Sequence, residues 1–249
     1  MSRQRLTTLF KRVVRQSARA CGWEVRRFNP DLALDAYLPI LLEELGVNCV
    51  LDVGGHRGEY ATLIRTHKYK GYIISFEPVE ENFNQLQQRK DGDSMWHVYR
   101  YALGNNNETR DINVSRGTNF SSFLSASDYG TRIFRPHIPV ERVEVVQVRR
   151  LDDVFDEVTA AIDQPRAFLK IDTQGWDLEV LRGAKGCLDQ IVGLQSELSL
   201  QGIYEGMPSW TEALSEFQRA NFVVSALFPV WRDSNFQLTE IDCVMIRKQ

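Results

Sequence analysis

Residues 50–58 read Val-Leu-Asp-Val-Gly-Gly-His-Arg-Gly, and residues 73–78 read Ile-Ile-Ser-Phe-Glu-Pro. Each segment is a short apolar run of β-forming residues that ends in groups able to hold a ligand. Gly54, Gly55 and Gly58 let the backbone turn sharply and come close to a bound molecule. Helix-like sequence resumes at Glu59, and the start of a helix offers unpaired N–H groups. Glu77, at the tip of the second run, suits paired hydrogen bonds to a ribose diol, with Pro78 beside it. A glycine turn after one strand and an acid after the next describe a nucleoside-binding α/β sheet.

The spacing discriminates between nucleosides. The dinucleotide fingerprint Gly-x-Gly-x-x-Gly is absent; the chain has Asp52-x-Gly54-Gly55-x-x-Gly58, with His56 where the second glycine would fall. A carboxylate two residues before the turn repels a pyrophosphate. It suits a cation that carries an amino acid moiety. S-adenosylmethionine has a sulfonium, an ammonium and a ribose diol, and these residues favour it over NAD. On this reading Asp52, Gly54, Gly55 and Gly58 shape the methionine end and Glu77 holds the ribose. The segment Tyr101-Ala-Leu103, at the end of a third strand, borders the adenine.

Four stretches resemble the FkbM family of S-adenosylmethionine-dependent methyltransferases. They are Leu51-Asp-Val-Gly-Gly-His-Arg-Gly-Glu-Tyr60, Phe76-Glu-Pro78, Ala102-Leu-Gly104 and Leu169-Lys-Ile-Asp-Thr-Gln-Gly-Trp-Asp-Leu-Glu-Val-Leu-Arg-Gly-Ala184. The last is the most specific. The resemblance implies a Rossmann-like class I methyltransferase fold with a mainly parallel seven-stranded sheet, and O-methylation of a hydroxyl on a sugar, glycan or related small metabolite. It also implies that Ala102 and Leu103 belong to the cofactor pocket. His56 departs from the asparagine the family often has there. Gln174 departs from the family's usual acid, which removes a charge from any metal or proton chemistry at that position.

Methyl transfer to a hydroxyl needs the acceptor positioned and its proton removed. Asp172, at the end of the fourth strand of the pattern, is the first choice for base or hydroxyl orienter. Glu197 is a second polar candidate, and His56 and His137 are alternatives, because imidazole as a side-chain type suits proton transfer near neutral pH. Asp172 and Glu197 could supply two ligands to a divalent metal, but with Gln174 between them a required metal is not favoured. Asp177 and Glu179 suit the first turn of the following helix.

The elements that position these residues alternate between strand and helix. Strands are expected over 47–53, 72–76, 96–102, 166–171, 191–198, 222–228 and 242–247, with helices over 32–45, 59–67, 80–89, 178–184 and 210–220. Pro39 should kink the first of these helices. The alternation describes a mainly parallel sheet covered by helices on both faces. Residues 1–46 read as N-terminal helices and 47–249 as one domain with an inserted region at about 105–150, where two further strands, 110–114 and 142–150, pair outside or at the edge of the main sheet. Within that region, residues 115–140 read as a long loop. Phe120, Phe123, Tyr129 and Phe134 there, with Arg132, Arg135 and His137, are expected to meet a polar, glycosidic or anionic acceptor.

The net charge of −3 excludes a global attraction to nucleic acid, but it is unevenly placed. Residues 1–27 hold eight Lys and Arg against Glu24, a balance of +7 that leaves −10 for the remainder. Apolar residues recur at helical spacing over residues 3–20. A basic amphipathic helix can lie on the inner face of a membrane, dock on a partner, or pack on its own domain with the basic face in water. The shortage of large apolar residues at its far end favours the last. Four dispersed cysteines read as free thiols suited to the cytoplasm. A binding or scaffold protein that keeps the fold without turnover is the alternative to an enzyme.

Overall fold

The computed structural model describes residues 13, 14, 16–23 and 33–248. Most of the basic segment at 3–20 lies outside these; residues 16–20 are helical. Helix α1 (Leu34–Glu44) runs through Pro39. It has no side-chain cap, and Leu38 and Leu42, one turn apart, are its buried residues. Burying such a side chain contributes about 1.5–3 kcal/mol.

The main sheet has seven strands: β1 (Cys49–Val53), β2 (Tyr72–Phe76), β3 (Trp96–Tyr99), β7 (Ala167–Ile171), β8 (Ile191–Ser199), β9 (Phe222–Arg232) and β10 (Leu238–Arg247). Their spatial order is β3-β2-β1-β7-β8-β10-β9. Neighbours from β3 to β8 are parallel, and β10 runs antiparallel to both β8 and β9. Every residue of β1 and of β7 is buried, which is why both read as continuous apolar runs rather than alternating ones. On one face, Leu51, Val53, Leu169 and Ile171 pack against α5 (Leu151–Val158), α6 (Asp177–Arg182) and α7 (Trp210–Arg219). On the other, Val50, Ile73, Phe168 and Val244 pack against α1, α2 (Glu59–Thr66) and α3 (Glu80–Arg89). The result is a three-layer α/β/α sandwich.

A second sheet stands apart from the first. Its strands are β4 (Ala102–Leu103), β5 (Glu108–Ser115) and β6 (Val140–Arg149), in the order β4-β6-β5. The single strand expected over 96–102 is therefore two strands in two sheets. The chain leaves β3 at Arg100, Tyr101 turns its ring onto Phe76 at 5.5 Å, and Ala102 pairs with Val148 of β6. Helix α5, which follows β6 directly, was not expected. Its Leu151, Val154, Phe155 and Val158 are all buried.

The excursion between β5 and β6 is folded rather than an open loop. A 3-10 turn (Thr118–Phe120) leads to α4 (Asp128–Ile133), whose first turn is capped by Ser127 Oγ accepting from the Gly130 N–H at 3.0 Å. Phe134 and Ile138 pack with Ile203 and Tyr204 from the loop after β8, and Phe120 joins them. Cys49, Cys187 and Cys243 are buried free thiols and Cys21 is exposed. No helix among the described residues is long and apolar enough to cross a membrane.

Candidate active site

A cavity of about 580 Å³ opens at the carboxyl ends of the parallel strands. It lies within the range of small-molecule and cofactor sites. Gly54, Gly55 and His56 form one wall, Glu77, Pro78 and Val79 the next, and Ala102 and Leu103 a third. Lys170, Asp172 and Gln174 cross its floor towards Gln195, Glu197 and Asp242. Residues 118, 119 and 121–123 of the excursion close it from above.

The glycine turn is tightly constrained. Gly54 has φ +77°, and a Cβ there would lie 2.0 Å from the Asp172 carbonyl oxygen. Only a glycine lets the turn pass this close to the tip of β7. The Gly54 and Gly55 N–H groups both donate to the Phe76 carbonyl, at 3.1 and 3.0 Å. This ties the turn to the end of β2, where Glu77 follows. Glu77 is buried, with Oε2 accepting from the His56 N–H at 2.8 Å and Oε1 from the Val79 N–H at 2.9 Å. Burial pushes its carboxyl up to about 7, against the pull of these amides.

Asp52 and Gly58, expected to shape the methionine end, are buried and do not line the cavity. Strand register puts Ser75, Asp52, Lys170 and Gln195 side by side across β2, β1, β7 and β8. Asp52 is fully buried; its Oδ1 lies 3.1 Å from Lys170 Nζ, and its Oδ2 accepts from Ser75 Oγ at 2.9 Å. Lys170 also donates to the Gly54 carbonyl at 3.0 Å and lies 3.5 Å from Asp172 Oδ2. Burial works against its ammonium, but Asp52 and Asp172 outweigh that and hold it above the ordinary lysine range. Asp52 therefore meets the cavity lining through Lys170. Gly58, at φ +87°, faces the core, where a Cβ would meet Trp96 and Leu86 at 2.8 and 2.9 Å.

The other end of the cavity is acidic. Gln174 Nε2 donates to Asp172 Oδ1 at 3.1 Å and to Glu197 Oε2 at 3.4 Å. Its Oε1 accepts from the Tyr204 hydroxyl at 2.7 Å, and its backbone carbonyl accepts from Ser122 Oγ at 2.7 Å. Gln174 has φ +53° and Gly175 φ +91°, so two left-handed residues in succession turn the chain into the cavity. A non-glycine residue held there is strained, a condition that clusters at ligand sites. Burial first, and then Asp172, Glu240 and Asp242, drive Glu197 well above the usual carboxylate range. Burial likewise raises Asp242 to about 6 and Glu240 to about 7. Asp177 is not at this surface; it accepts from the Thr173 N–H at 3.0 Å and from Ser196 Oγ at 2.9 Å, fastening α6 to β8.

His137 does not line the cavity. It is exposed and stacks on Phe120 with ring centroids 6.1 Å apart. The excursion's aromatics serve mainly its own packing, which turns His137 outward. Phe134 is buried against Trp231, and Arg132 lies over the Tyr129 ring; of the four aromatics, only Phe123 reaches the cavity. Gln195, Asp242, Thr118 and Tyr60 were missed. The first two carry a sequence signal, as polar residues inside otherwise apolar strands.

Three polar atoms on the cavity wall are buried without a hydrogen-bond partner, Tyr60 Oη, Asn82 Oδ1 and Gln195 Oε1. Buried polar groups are ordinarily satisfied, so these fit a ligand that completes them. The close-approach glycine and the buried acid at the tip of β2 fit a nucleoside. Among the described residues no group of three or more His, Cys, Asp or Glu is arranged to hold a metal ion.

The profile of the Methyltransferase FkbM domain matches residues 52–224, most of the chain and all of this wall from Gly54 to Glu197. The chain belongs to the FkbM methyltransferase family. Among solved structures, methyltransferase FkbM from Methylobacillus flagellatus KT is 20% identical; the match covers 79% of this chain and 43% of that one, with a TM-score of 0.48. This FkbM protein thus spans less than half the length of that relative. Magnesium protoporphyrin IX methyltransferase from Synechocystis PCC 6803, solved with bound SAM, is 8% identical, with 86% of this chain and 76% of that one covered and a TM-score of 0.48. An rRNA methylase from Streptococcus thermophilus is 11% identical, with 90% and 100% covered and a TM-score of 0.46. No curated protein sequence matches this FkbM protein.

Proposed function

We propose that this protein is an S-adenosylmethionine-dependent O-methyltransferase whose acceptor is a hydroxyl of a sugar, glycan or related small metabolite. The observation that carries this reading is a single cavity with two chemically distinct ends. Gly54, Gly55, Glu77, Pro78, Ala102 and Leu103 line one, and Asp172, Gln174 and Glu197 line the other. Glu77 would hold the ribose, and Ala102 and Leu103 would border the base. The bound cofactor supplies an electrophilic methyl and a neutral thioether leaving group.

The remaining work falls to this chain's residues. Asp172 accepts the hydroxyl proton or orients the hydroxyl. Lys170 and the Gln174 amide fix one oxygen each of the Asp172 carboxylate. Tyr204 donates to Gln174 Oε1, which leaves the amide nitrogen facing the two carboxylates. Asp172, Glu197 and Asp242 surround the acceptor end, and its one lysine is already shared by Asp52 and Asp172. With no cation left over among the described residues there to pair with an anion, this end favours a neutral or cationic hydroxyl compound over the anionic acceptor that the arginines of the excursion suggested.

Titration calorimetry with S-adenosylhomocysteine tests the cofactor half. Micromolar binding, about −8 kcal/mol, is expected for the parent and should collapse in Glu77→Ala. Transfer of label from S-adenosylmethionine to a hydroxylated acceptor tests the other half. Asp172→Asn should lower turnover about 100-fold or more while S-adenosylhomocysteine affinity stays close to the parent's. Equal turnover in that variant would remove Asp172 from its role.

A further inference from the structure

His56 touches more of the site than its place in the glycine turn requires. It is held at φ +46°, a left-handed conformation that few residues other than glycine adopt, with asparagine, aspartate and histidine the most frequent among them. Its N–H donates to Glu77. Its Nδ1 lies 3.2 Å from Glu59 Oε2, and its Nε2 lies 2.8 Å from Thr118 Oγ1. A carboxylate only accepts, so Nδ1 carries the proton of the neutral ring and Nε2 accepts from the Thr118 hydroxyl. Arg57 Nη2, 3.2 Å away, donates to the same Thr118 oxygen. The hydroxyl is thus satisfied from both sides in one consistent order.

Thr118 sits on the arc that closes the cavity. This arc is fastened at its two ends and at Phe120, whose carbonyl accepts from Ser115 Oγ at 3.1 Å. Gly117 N–H donates to the His137 carbonyl at 2.8 Å, and Ser122 Oγ donates to the Gln174 carbonyl at 2.7 Å. Between these anchors, Thr118 joins the arc to the glycine turn. The cavity beneath has the glycine turn on one side and residues 118, 119 and 121–123 on the other.

We propose that His56 is a positioning residue that latches the arc over the cofactor end through Thr118, so that the opening of this contact governs cofactor exchange. The proposal rests on the cofactor reading above. It assigns a role to His56 outside proton transfer, and it gives Thr118 a function without direct contact to the reacting atoms.

The test is surface plasmon resonance with the full chain immobilised and S-adenosylhomocysteine as the probe. Thr118→Val keeps the shape and removes the hydroxyl; its dissociation rate should rise about tenfold, with the melting temperature unchanged. His56→Asn tolerates the left-handed backbone, but its amide ends where the ring's Nδ1 lies and does not reach Thr118, so its dissociation rate should rise by a similar factor, and release at the parent's rate would equally overturn the latch. A Thr118→Val variant that releases the probe at the parent's rate overturns the latch. So does a faster release that is matched by a fall in melting temperature, since that reports general loosening. No binding to the parent defeats the cofactor reading itself, and the latch with it.

Discussion

As the proposed ribose contact, the carboxyl of Glu77 should make cofactor affinity and protein stability respond to pH in opposite directions. Burial raises it from 4.5 to about 7, which corresponds to about 3 kcal/mol at about 1.4 kcal/mol for each tenfold change in proton affinity. Between these two values the folded protein keeps a proton that the unfolded chain has released. Stability from this group is therefore greatest below the unfolded value and falls by about 3 kcal/mol as pH climbs to the folded one. A ribose diol donates to the ionised carboxylate, so ligand affinity moves the other way. For a site that needs the ionised form, the apparent dissociation constant should improve about tenfold from pH 6 to pH 8. Glu77→Gln removes the titration while keeping the size. Urea unfolding and calorimetry with S-adenosylhomocysteine, at pH 5, 6 and 8, on both proteins would show the two slopes. Glu197, Glu240 and Asp242 also titrate late, and the difference between parent and variant cancels their share. A stability difference that does not change with pH, or the same pH slope of affinity in both proteins, would refute the reasoning.

Lys170→Met leaves Asp52 charged and unpaired in the core and should cost about 3–5 kcal/mol by urea unfolding; adding Asp52→Asn should recover most of the loss. Gly54→Ala forces a Cβ against the Asp172 carbonyl at a left-handed position, which should cost about 2–5 kcal/mol and abolish S-adenosylhomocysteine binding. Gln174→Glu places a third acid between Asp172 and Glu197. Its melting temperature should fall relative to the parent at pH 8 and recover at pH 5, where the added carboxyl holds its proton.

The glycine turn and Glu77 were legible because their meaning is local: a turn and an acid, each at the end of an apolar run. The main sheet was legible for a similar reason, since strands buried on both faces leave continuous apolar segments. What could not be read depended on contacts between distant segments. Asp52 looks like a ligand contact in sequence, yet its register beside Lys170 and Ser75 turns it under the floor. Residues 96–102 read as one strand because nothing in their side chains marks where pairing passes from β2 to β6. His137 looked available because the excursion's aromatics looked available; they pack on a loop more than sixty residues away. Helix α5 is a different case. Leu151, Val154, Phe155 and Val158 have helical spacing in plain view, but they follow a ten-residue strand whose pattern runs straight into them.

The four cysteines give the folded protein a built-in record of its own opening. Burial pushes Cys49, Cys187 and Cys243 up to about 12, so their thiols are protonated and shielded at neutral pH. Cys21 is exposed. An alkylating reagent should mark Cys21 at once and the other three only as often as their surroundings come apart. Cys49 lies in the central parallel strand and Cys243 in the C-terminal antiparallel hairpin. Peptide mass spectrometry at successive times would then separate the breathing of the two halves of the sheet, with no probe introduced by mutation. With S-adenosylhomocysteine present, the slowing of each label would map how far the ligand's stabilisation spreads from the cavity.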